Sequence, residues 1–356
     1  MMRGLVHVGD GRLELLELPA VEPSDQEAVL RVEGSAACIG DAETLHGYGP
    51  VMKTPLVLGH EIVGLVTQVG RRAPTVLKDL EGRRVLIDDA RPCGQCEWCR
   101  SGRKRFCKSP RYGHIVHLPD KRNWGGYAEA VTLDERSVLV PVPGDLSIEL
   151  ATFIFPVASG VEWLLLNSNL KEGERVAILG TSRMGTASAL VALHEGASEV
   201  VMYGDPRGLD AIRATRRLGA QIRGEPKDRD PSELFDVIVV VTEAPKEYTA
   251  AAVEMAAPQG RIIVACTSTE PSGIIPELIR RKGLTLKGGR GASEPALQRA
   301  IEIVAGEQDR LSGIVGETHG FEAAEEVLKG LLTDRVARGA HVVIANNAAP
   351  DPHHRA

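Results

Sequence analysis

The sequence has no apolar run that approaches the ~18 residues needed to span a bilayer, and residues 1–19 lack the apolar core of a secretory signal peptide. Positive charge is not in excess either, because 42 Lys and Arg residues are outnumbered by 48 Asp and Glu residues. These features argue against a membrane span, against secretion and against general affinity for nucleic acid. We therefore expect a cytoplasmic protein whose partner is a small molecule.

Cysteine is scarce, with six residues in 356, yet four of the six lie together in "PCGQCEWCRSGRKRFC" at residues 92–107. They are Cys93, Cys96, Cys99 and Cys107. In a reducing compartment such a cluster favours metal binding over disulfide formation. Four thiolates complete the tetrahedral shell of one zinc ion and leave no position open for a substrate. The sequence thus predicts a structural zinc lobe at residues 92–108, whereas Cys266 is expected in the core.

The chain length of 356 residues favours two domains. Up to about residue 143, short apolar runs such as "AVLRVEGSA" and "EIVGLVTQVG" are broken by Gly and Pro, a pattern typical of β-structure. From about residue 151, strands such as "ERVAILG" and "DVIVVVT" alternate with helical periods, which predicts a parallel sheet flanked by helices. Helices are predicted at residues 294–306 and 321–332, followed by a last strand, "AHVVIA".

A dinucleotide-binding turn is predicted at "RVAILGTSRMG", where a strand enters a glycine-rich turn and then a helix. Such a turn lets the backbone approach a pyrophosphate at the helix N-terminus, although Ser182 replaces the usual middle glycine. The residues expected to contact the cofactor there are Gly180, Ser182, Met184 and Gly185. Asp205, about 20 residues after the turn, is predicted to accept hydrogen bonds from the adenosine ribose, which favours NAD. Arg207 keeps NADP open, because it is close enough in sequence to meet a 2′-phosphate.

Three further motifs extend the pattern: "CIGD" at Cys38, "PLVLGHEIVG" at residues 55–64 and "GGYAEA" at Gly125. With the cysteine lobe and the nucleotide turn, they make the chain resemble the zinc-containing medium-chain dehydrogenases and reductases over nearly its full length. This group includes alcohol, polyol and threonine dehydrogenases. The resemblance implies an α/β protein with a GroES-like, β-rich catalytic domain at residues 1–150 and 290–356. A Rossmann domain with a doubly wound parallel sheet is implied for residues 151–289.

The resemblance also implies a catalytic zinc ion bound by Cys38 and by His60, whose thiolate and imidazole groups suit this metal. Asp41 is similar to the family aspartate that orients the ligand histidine and fixes its tautomer. Taken by themselves, Cys38 could be a packed small residue and His60 a turn cap, so these alternatives stay open at the level of sequence.

The third ligand departs from the family pattern. Phe155 stands where the family usually supplies a cysteine, aspartate or glutamate, and a phenyl ring cannot bind zinc. Glu61 is the nearest replacement in the sequence. Three ligands, Cys38, His60 and Glu61, would still leave an open coordination position for a water or substrate.

The proton relay departs as well. Gly40 stands where family alcohol dehydrogenases usually place a serine or threonine that passes on the alcohol proton. The proton must then move through water, through the substrate's own hydroxyls or through a carboxyl such as that of Glu43. Glu43 can equally be a solvent-facing helix residue.

The combined features favour an NAD(P)-dependent oxidoreductase that interconverts a secondary alcohol, such as a polyol or cyclitol, and its ketone. One alternative is reduction of an activated carbon–carbon double bond, which needs neither the hydroxyl relay nor a strong Lewis acid. Another is a nucleotide-binding relative that has lost catalysis. We expect a homodimer or a homotetramer.

Overall fold

The computed structural model describes residues 1–47, 53–113, 122–204, 209–241, 246–266, 271–312, 315–333 and 341–346. Its strands are β1 (Met2–Gly9), β2 (Arg12–Leu18), β3 (Ala28–Ala36), β4 (Leu56–Val57), β5 (Glu61–Val69), β6 (Arg84–Asp88), β7 (Ala130–Leu133), β8 (Val138–Pro141), β9 (Arg175–Leu179), β10 (Glu199–Tyr203), β11 (Gln221–Arg223), β12 (Phe235–Val240), β13 (Ala256–Val264), β14 (Thr285–Gly288), β15 (Glu317–His319) and β16 (Val342–Ile344).

The helices are α1 (Ile39–Leu45), α2 (Thr75–Lys78), α3 (Glu97–Arg100), α4 (Ile148–Val161), α5 (Arg183–His194), α6 (Leu209–Arg217), α7 (Glu247–Met255), α8 (Pro276–Lys282), α9 (Glu294–Gly306), α10 (Gln308–Leu311) and α11 (Ala324–Thr333). Four further helical turns are the 3₁₀ segments Lys104–Phe106, Pro226–Asp228 and Phe321–Ala323 and the π-helical segment Glu162–Asn167.

The chain folds into two compact units. The first contains Met1–Thr152 and Glu317–Thr333, together with β16. Its larger sheet has the order β15-β16-β3-β5-β6-β8, with β7 also paired to β3, and a smaller sheet has the order β2-β1-β4. Alternate residues of β3, namely Ala28, Leu30 and Val32, are buried in one cluster with residues of β5 and β6, as expected where one face of a strand covers a core.

The second unit is built on a six-stranded sheet in the order β11-β10-β9-β12-β13-β14. All neighbouring strands are parallel. Counted along the unit, this is the order 3-2-1-4-5-6 that is characteristic of Rossmann domains. Continuous apolar runs such as residues 237–240 of β12 are fully buried, because a parallel sheet is covered on both faces. The predicted α/β class with a Rossmann-type parallel sheet is confirmed.

The division of the chain after residue 290 differs from the expected one. The resemblance predicts that residues 294–306 belong to the first domain, but α9 clusters with the second unit, which extends to Gly316. Helix α9 buries an apolar side that includes Leu297 and Ile303. Its Arg299 forms an ion pair with Glu195 at 2.8 Å, just beyond α5. Sequence periodicity identified this helix, but it could not identify the surface on which the helix packs.

One apolar segment is longer than expected from the sequence. Residues 148–167, which comprise α4 and the π-helical turn, are long and apolar enough to cross a membrane by length and composition. However, 72% of an 18-residue window in this segment is buried inside the protein. Such burial is typical of a core helix. A cytoplasmic location stays a prediction.

Candidate active site and metal sites

The four lobe cysteines converge as predicted from their spacing. Their sulfur atoms all lie within 4.8 Å of one another. Ligands at ~2.3 Å from a tetrahedral ion lie about 3.8 Å apart, and the Sγ atoms of Cys99 and Cys96 are 3.5 Å apart, while those of Cys99 and Cys93 are 3.9 Å apart. Backbone N–H groups of Gln95 and Cys96 lower the pKa of the Cys93 thiol to about 6, which favours its thiolate, whereas burial and the Cys96 thiol raise the pKa of Cys99 to about 11. The residues present therefore fit a structural zinc ion.

Arg105 of the lobe and Arg111, just beyond it, form ion pairs with two aspartates at the end of β6. Arg105 forms ion pairs with Asp88, at 2.9 Å, and with Asp89. Arg111 binds the other oxygen of Asp89 at 2.6 Å and donates to the backbone carbonyl of Arg105 at 2.7 Å. Although burial disfavours its charge, these guanidinium groups hold the pKa of Asp89 well below its usual range. The lobe is thus joined to the end of β6 by charged contacts.

The second group of ligand atoms forms where β3 meets β5. Ala36 of β3 pairs with Glu61 of β5, so Cys38, two residues beyond Ala36, lies beside the start of β5. The ligand atoms of Cys38, His60 and Glu61 lie within 4.8 Å of one another. Antiparallel pairing therefore brings together residues that are distant in sequence.

Asp41, for which the resemblance implies a role in orienting the ligand histidine, lies within hydrogen-bond distance of His60. Helix α1 carries Asp41 in its first turn, fully buried, with Oδ1 at 3.1 Å from Nδ1 of His60. The same oxygen accepts a hydrogen bond from the backbone N–H of Gly59 at 3.2 Å. Since a carboxylate oxygen accepts, Nδ1 carries a hydrogen, and Nε2 is the ring nitrogen that remains available to a metal.

The electrostatics of this group favour a positive charge. Burial disfavours the imidazolium form of His60, but the negative charges of Asp41 and Cys38 more than offset burial and raise its pKa well above the usual value. Glu61 is 8% exposed. A site that stabilises a cation among a thiol, an imidazole and a carboxyl has the donor set of a catalytic zinc ion.

The two relay positions are both on α1. A Cβ atom added at Gly40 would lie 3.8 Å from Cε1 of His60 and 3.9 Å from Sγ of Cys38, which is ordinary contact distance. Gly40 therefore adjoins the two ligands and leaves room for a side chain there. Glu43 is half-buried on the same helix, and it does not belong to the group of ligand atoms.

Phe155 lies on α4, half-buried and directly before Pro156. Its phenyl ring offers no ligand atom, so among the described residues the candidate catalytic group has the three donors that Cys38, His60 and Glu61 supply. Three protein ligands are typical of a catalytic zinc site and leave the fourth coordination position open.

The nucleotide turn follows β9 and leads into α5. Gly180 has φ +123°, a conformation that side chains rarely adopt. Ser182 is the N-cap of α5, where its hydroxyl accepts from the N–H of Gly185 at 3.4 Å. A Cβ at Gly185 would lie 2.6 Å from the Gly180 carbonyl oxygen, so glycine is required there. Met184 is half-buried in the first turn of the helix.

Ser182, which replaces the usual middle glycine of the turn, therefore has a local role. Its side chain caps the helix whose N-terminus would bind a pyrophosphate. β9 and β12 are adjacent in the sheet although they are not consecutive in the chain, so the strand order reverses between them. Sheets of this type bind their ligands at this reversal of strand order. Asp205 and Arg207, predicted to contact the adenosine ribose, lie outside the described residues.

Tyr127 is a site residue that sequence reasoning missed. Its hydroxyl donates to Oδ2 of Asp41 at 2.9 Å. Burial, and then the charge of Asp41, raise the pKa of Tyr127 well above its usual range, so the hydroxyl keeps its proton. The sequence feature that marks this region is the pair of adjacent glycines in "GGYAEA". Glycine is needed at the second position because a Cβ at Gly126 would lie 2.6 Å from Ile62. Two adjacent glycines indicated a close backbone approach, but not which segment is approached.

Comparison with known proteins gives consistent matches. The family model for the alcohol dehydrogenase GroES-like domain matches residues 24–144. A probable alcohol dehydrogenase of Mycobacterium tuberculosis is 30% identical over 353 residues, covering 94% of this chain and 95% of that protein. Acryloyl-coenzyme A reductase of Metallosphaera sedula is 35% identical over 229 residues, covering 63% and 66%. The crystal structure of an NAD-dependent alcohol dehydrogenase matches with a TM-score of 0.81 at 27% identity, covering 97% and 99%.

Proposed function

Because the chain belongs to the zinc-containing medium-chain dehydrogenases and reductases, and is therefore an NAD(P)-dependent oxidoreductase, we propose that it interconverts a secondary alcohol and its ketone. The substrate class we propose is a polyol or cyclitol. The observation that carries the proposal is the convergence of Cys38, His60 and Glu61, with Asp41 bound to Nδ1 of the histidine. We assign catalysis to the first unit and cofactor binding to the second.

The roles of the chain's own residues follow from their contacts. When bound, zinc polarises the substrate oxygen, and the nicotinamide gives or takes the hydride. Cys38, His60 and Glu61 would hold the ion and leave one position open. Asp41 keeps the hydrogen of His60 on Nδ1. Glu43, on the same helix as Asp41, is the carboxyl that we propose for proton transfer, because Gly40 offers no hydroxyl.

A second candidate function is reduction of an activated carbon–carbon double bond. Two observations favour it: Gly40 removes the usual hydroxyl relay, and a reductase of acryloyl-coenzyme A is 35% identical over 229 residues. Such a reaction adds two hydrogens to the substrate and keeps its carbonyl group. The catalytically inactive alternative predicts no turnover of either substrate class.

Product analysis separates these functions. The purified protein is incubated with NAD and a panel of polyols, cyclitols and simple secondary alcohols, and with NADH or NADPH and an α,β-unsaturated ketone or thioester. We expect oxidation of a polyhydroxylated alcohol, with a new carbonyl signal and a mass lower by two hydrogens. Retention of the carbonyl in a product heavier by two hydrogens, without activity on any alcohol, would replace the first function by the second.

Gly40→Ser is expected to raise, or at least preserve, kcat/KM for simple secondary alcohols. The Cβ of the new side chain would lie 3.8 Å from Cε1 of His60 and 3.9 Å from Sγ of Cys38, so its hydroxyl would be introduced beside these ligands, and a positioned relay typically contributes about 10² to 10⁴ in rate. Gly40→Ala is the matched control, because it adds the same Cβ without a hydroxyl. Steady-state kinetics of both variants check this. A rise shared equally by the alanine variant would exclude a relay as the cause.

NADH is expected to bind more tightly than NADPH. A carboxylate at Asp205 would accept from a free ribose hydroxyl and repel a 2′-phosphate, so Asp205→Ala should weaken NADH binding and reduce the preference. Calorimetric titration of both cofactors gives the affinities, and Arg207→Ala is the paired variant. Tighter binding of NADPH that Arg207→Ala abolishes would show that the arginine decides cofactor choice.

A further inference from the structure

We propose that Tyr127 is a positioning residue for the metal-binding histidine: through Asp41 it holds His60 in the orientation needed to bind a divalent cation. The proposal rests on the zinc site of the proposed function. It assigns to this site a residue that lies 86 positions from Asp41 in the sequence. The property that Tyr127 is expected to change is the affinity of the site for its ion.

Contacts of Asp41 with His60, Gly59 and Tyr127 divide between its two oxygens. Oδ1 faces Nδ1 of His60 at 3.1 Å and accepts from Gly59 at 3.2 Å. Oδ2 accepts from the Tyr127 hydroxyl at 2.9 Å. A carboxylate bound at one oxygen alone can still turn about its Cβ–Cγ bond, whereas partners on both oxygens fix its plane. The tyrosine thereby determines where Oδ1 points.

The Tyr127 ring is held in place independently of its hydroxyl. Its backbone N–H donates to Leu58 at 3.0 Å, and its carbonyl accepts from Leu5 at 2.8 Å. The ring packs on Gly59, where a Cβ would lie 2.8 Å from Cδ1 of Tyr127. Gly59 also has φ +89°, so glycine is required at this position both for space and for backbone conformation. Replacement of the tyrosine by phenylalanine should therefore remove one hydrogen bond and leave the ring in position.

The hydrogen bond between Tyr127 and Asp41 is buried, so its loss is hard to compensate. Tyr127 and Asp41 are both 0% exposed, so water cannot replace the hydroxyl at Oδ2. Without the hydroxyl, the carboxylate can turn toward other donors and draw Oδ1 away from His60. Outer-shell partners of metal ligands typically contribute about 10- to 100-fold in metal affinity, and we expect an effect at the lower end of this range because Tyr127 acts through Asp41.

The test uses the full-length protein, from which a chelator removes the second-site ion while the cysteine lobe keeps its zinc. Titration with Zn²⁺ against a chromophoric chelator, and with Co²⁺ followed by its d–d spectrum, gives affinity and ligand geometry. Tyr127→Phe is expected to weaken binding by about 10-fold or more and to change the cobalt spectrum. Lobe zinc content should stay the same.

Tyr112→Phe is the matched control. This tyrosine is also 0% exposed in the first unit, and its hydroxyl donates to the Thr132 carbonyl at 3.0 Å and lies 2.7 Å from Ser137 Oγ. Its removal should cost similar stability, measured as Tm, without changing second-site affinity. Equal loss of affinity in both variants would reduce Tyr127 to a general role in folding and overturn the proposal.

A double-mutant cycle tests the route through Asp41. If the tyrosine acts through the carboxylate, Tyr127→Phe should have a much smaller effect in an Asp41→Asn background than alone. Full additivity would overturn the proposal, as would a Tyr127→Phe variant with the affinity of the wild type. A wild-type protein that binds no second ion would instead overturn the zinc site of the proposed function, and the role of Tyr127 with it.

Discussion

Glu61→Gln is expected to release the second zinc ion and to lower kcat/KM by about 100-fold or more. A neutral amide is a weaker ligand than a carboxylate, and Phe155 provides no replacement. Loss of the ion removes several kcal/mol of charge stabilisation, and each 1.36 kcal/mol is tenfold in rate. Metal analysis should give one zinc per chain in the variant and two in the wild type.

Glu27→Gln is the control for this experiment, because Glu27 is equally buried, at 8% exposure, in the same unit. Its carboxylate binds Arg122 at 2.7 Å and is not part of the ligand group. The control should keep both ions and most of the activity. Unchanged zinc content and activity in Glu61→Gln would instead show that Glu61 is not a ligand, and that Cys38 and His60 need a different third donor.

Cys99→Ser is expected to lower stability before it changes any kinetic constant. Binding of a structural zinc ion contributes directly to folding free energy, and Cys99 lies 3.5 Å and 3.9 Å from two of the other sulfurs. We expect a fall in Tm of about 5 °C or more, since 1 kcal/mol corresponds to roughly 2–4 °C for a unit of this size. Thermal unfolding and metal analysis of the soluble fraction provide the measurements.

Cys266→Ser separates this effect from a general cysteine effect. Cys266 is half-buried, with its sulfur 3.6 Å from Thr249 Oγ1, and it belongs to neither group of ligand atoms. The control should keep its zinc content and melt close to the wild type. A Cys99→Ser protein with native Tm and a metal-free lobe would contradict a structural role for zinc.

Loss of the lobe zinc should also loosen the charged contacts at the end of β6. Arg105 lies between Cys99 and Cys107 in the sequence, and it forms ion pairs with Asp88 and Asp89. Arg105 and Arg111 hold the pKa of Asp89 low, whereas burial raises the pKa of the neighbouring Asp88 to about 7. The contribution of Asp89 to stability is therefore present above the pKa of the unfolded state and is lost as the pH falls. Disruption of the lobe should reduce this contribution.

The sequence by itself determined the features that depend on short separations along the chain. The four lobe cysteines lie within 15 residues, from Cys93 to Cys107, so any compact loop brings their sulfurs together. The alternation of apolar strands and helical periods after residue 151 was sufficient for a parallel sheet, because such strands must be covered on both faces. The cap at Ser182 and the glycine at Gly185 are likewise local, since they depend on the geometry of one turn.

Only the tertiary structure decided which distant residues meet. Cys38 reaches His60 and Glu61 because β3 pairs with β5 in a register that places Ala36 opposite Glu61, and another register would move Cys38 along β5 and away from these residues. The contact between Tyr127 and Asp41, the ion pairs of Arg105 and the packing of α9 on the second unit depend on the same kind of long-range placement. Periodicity identifies the face that an element buries, but not its partner, because many apolar surfaces are equally able to cover it.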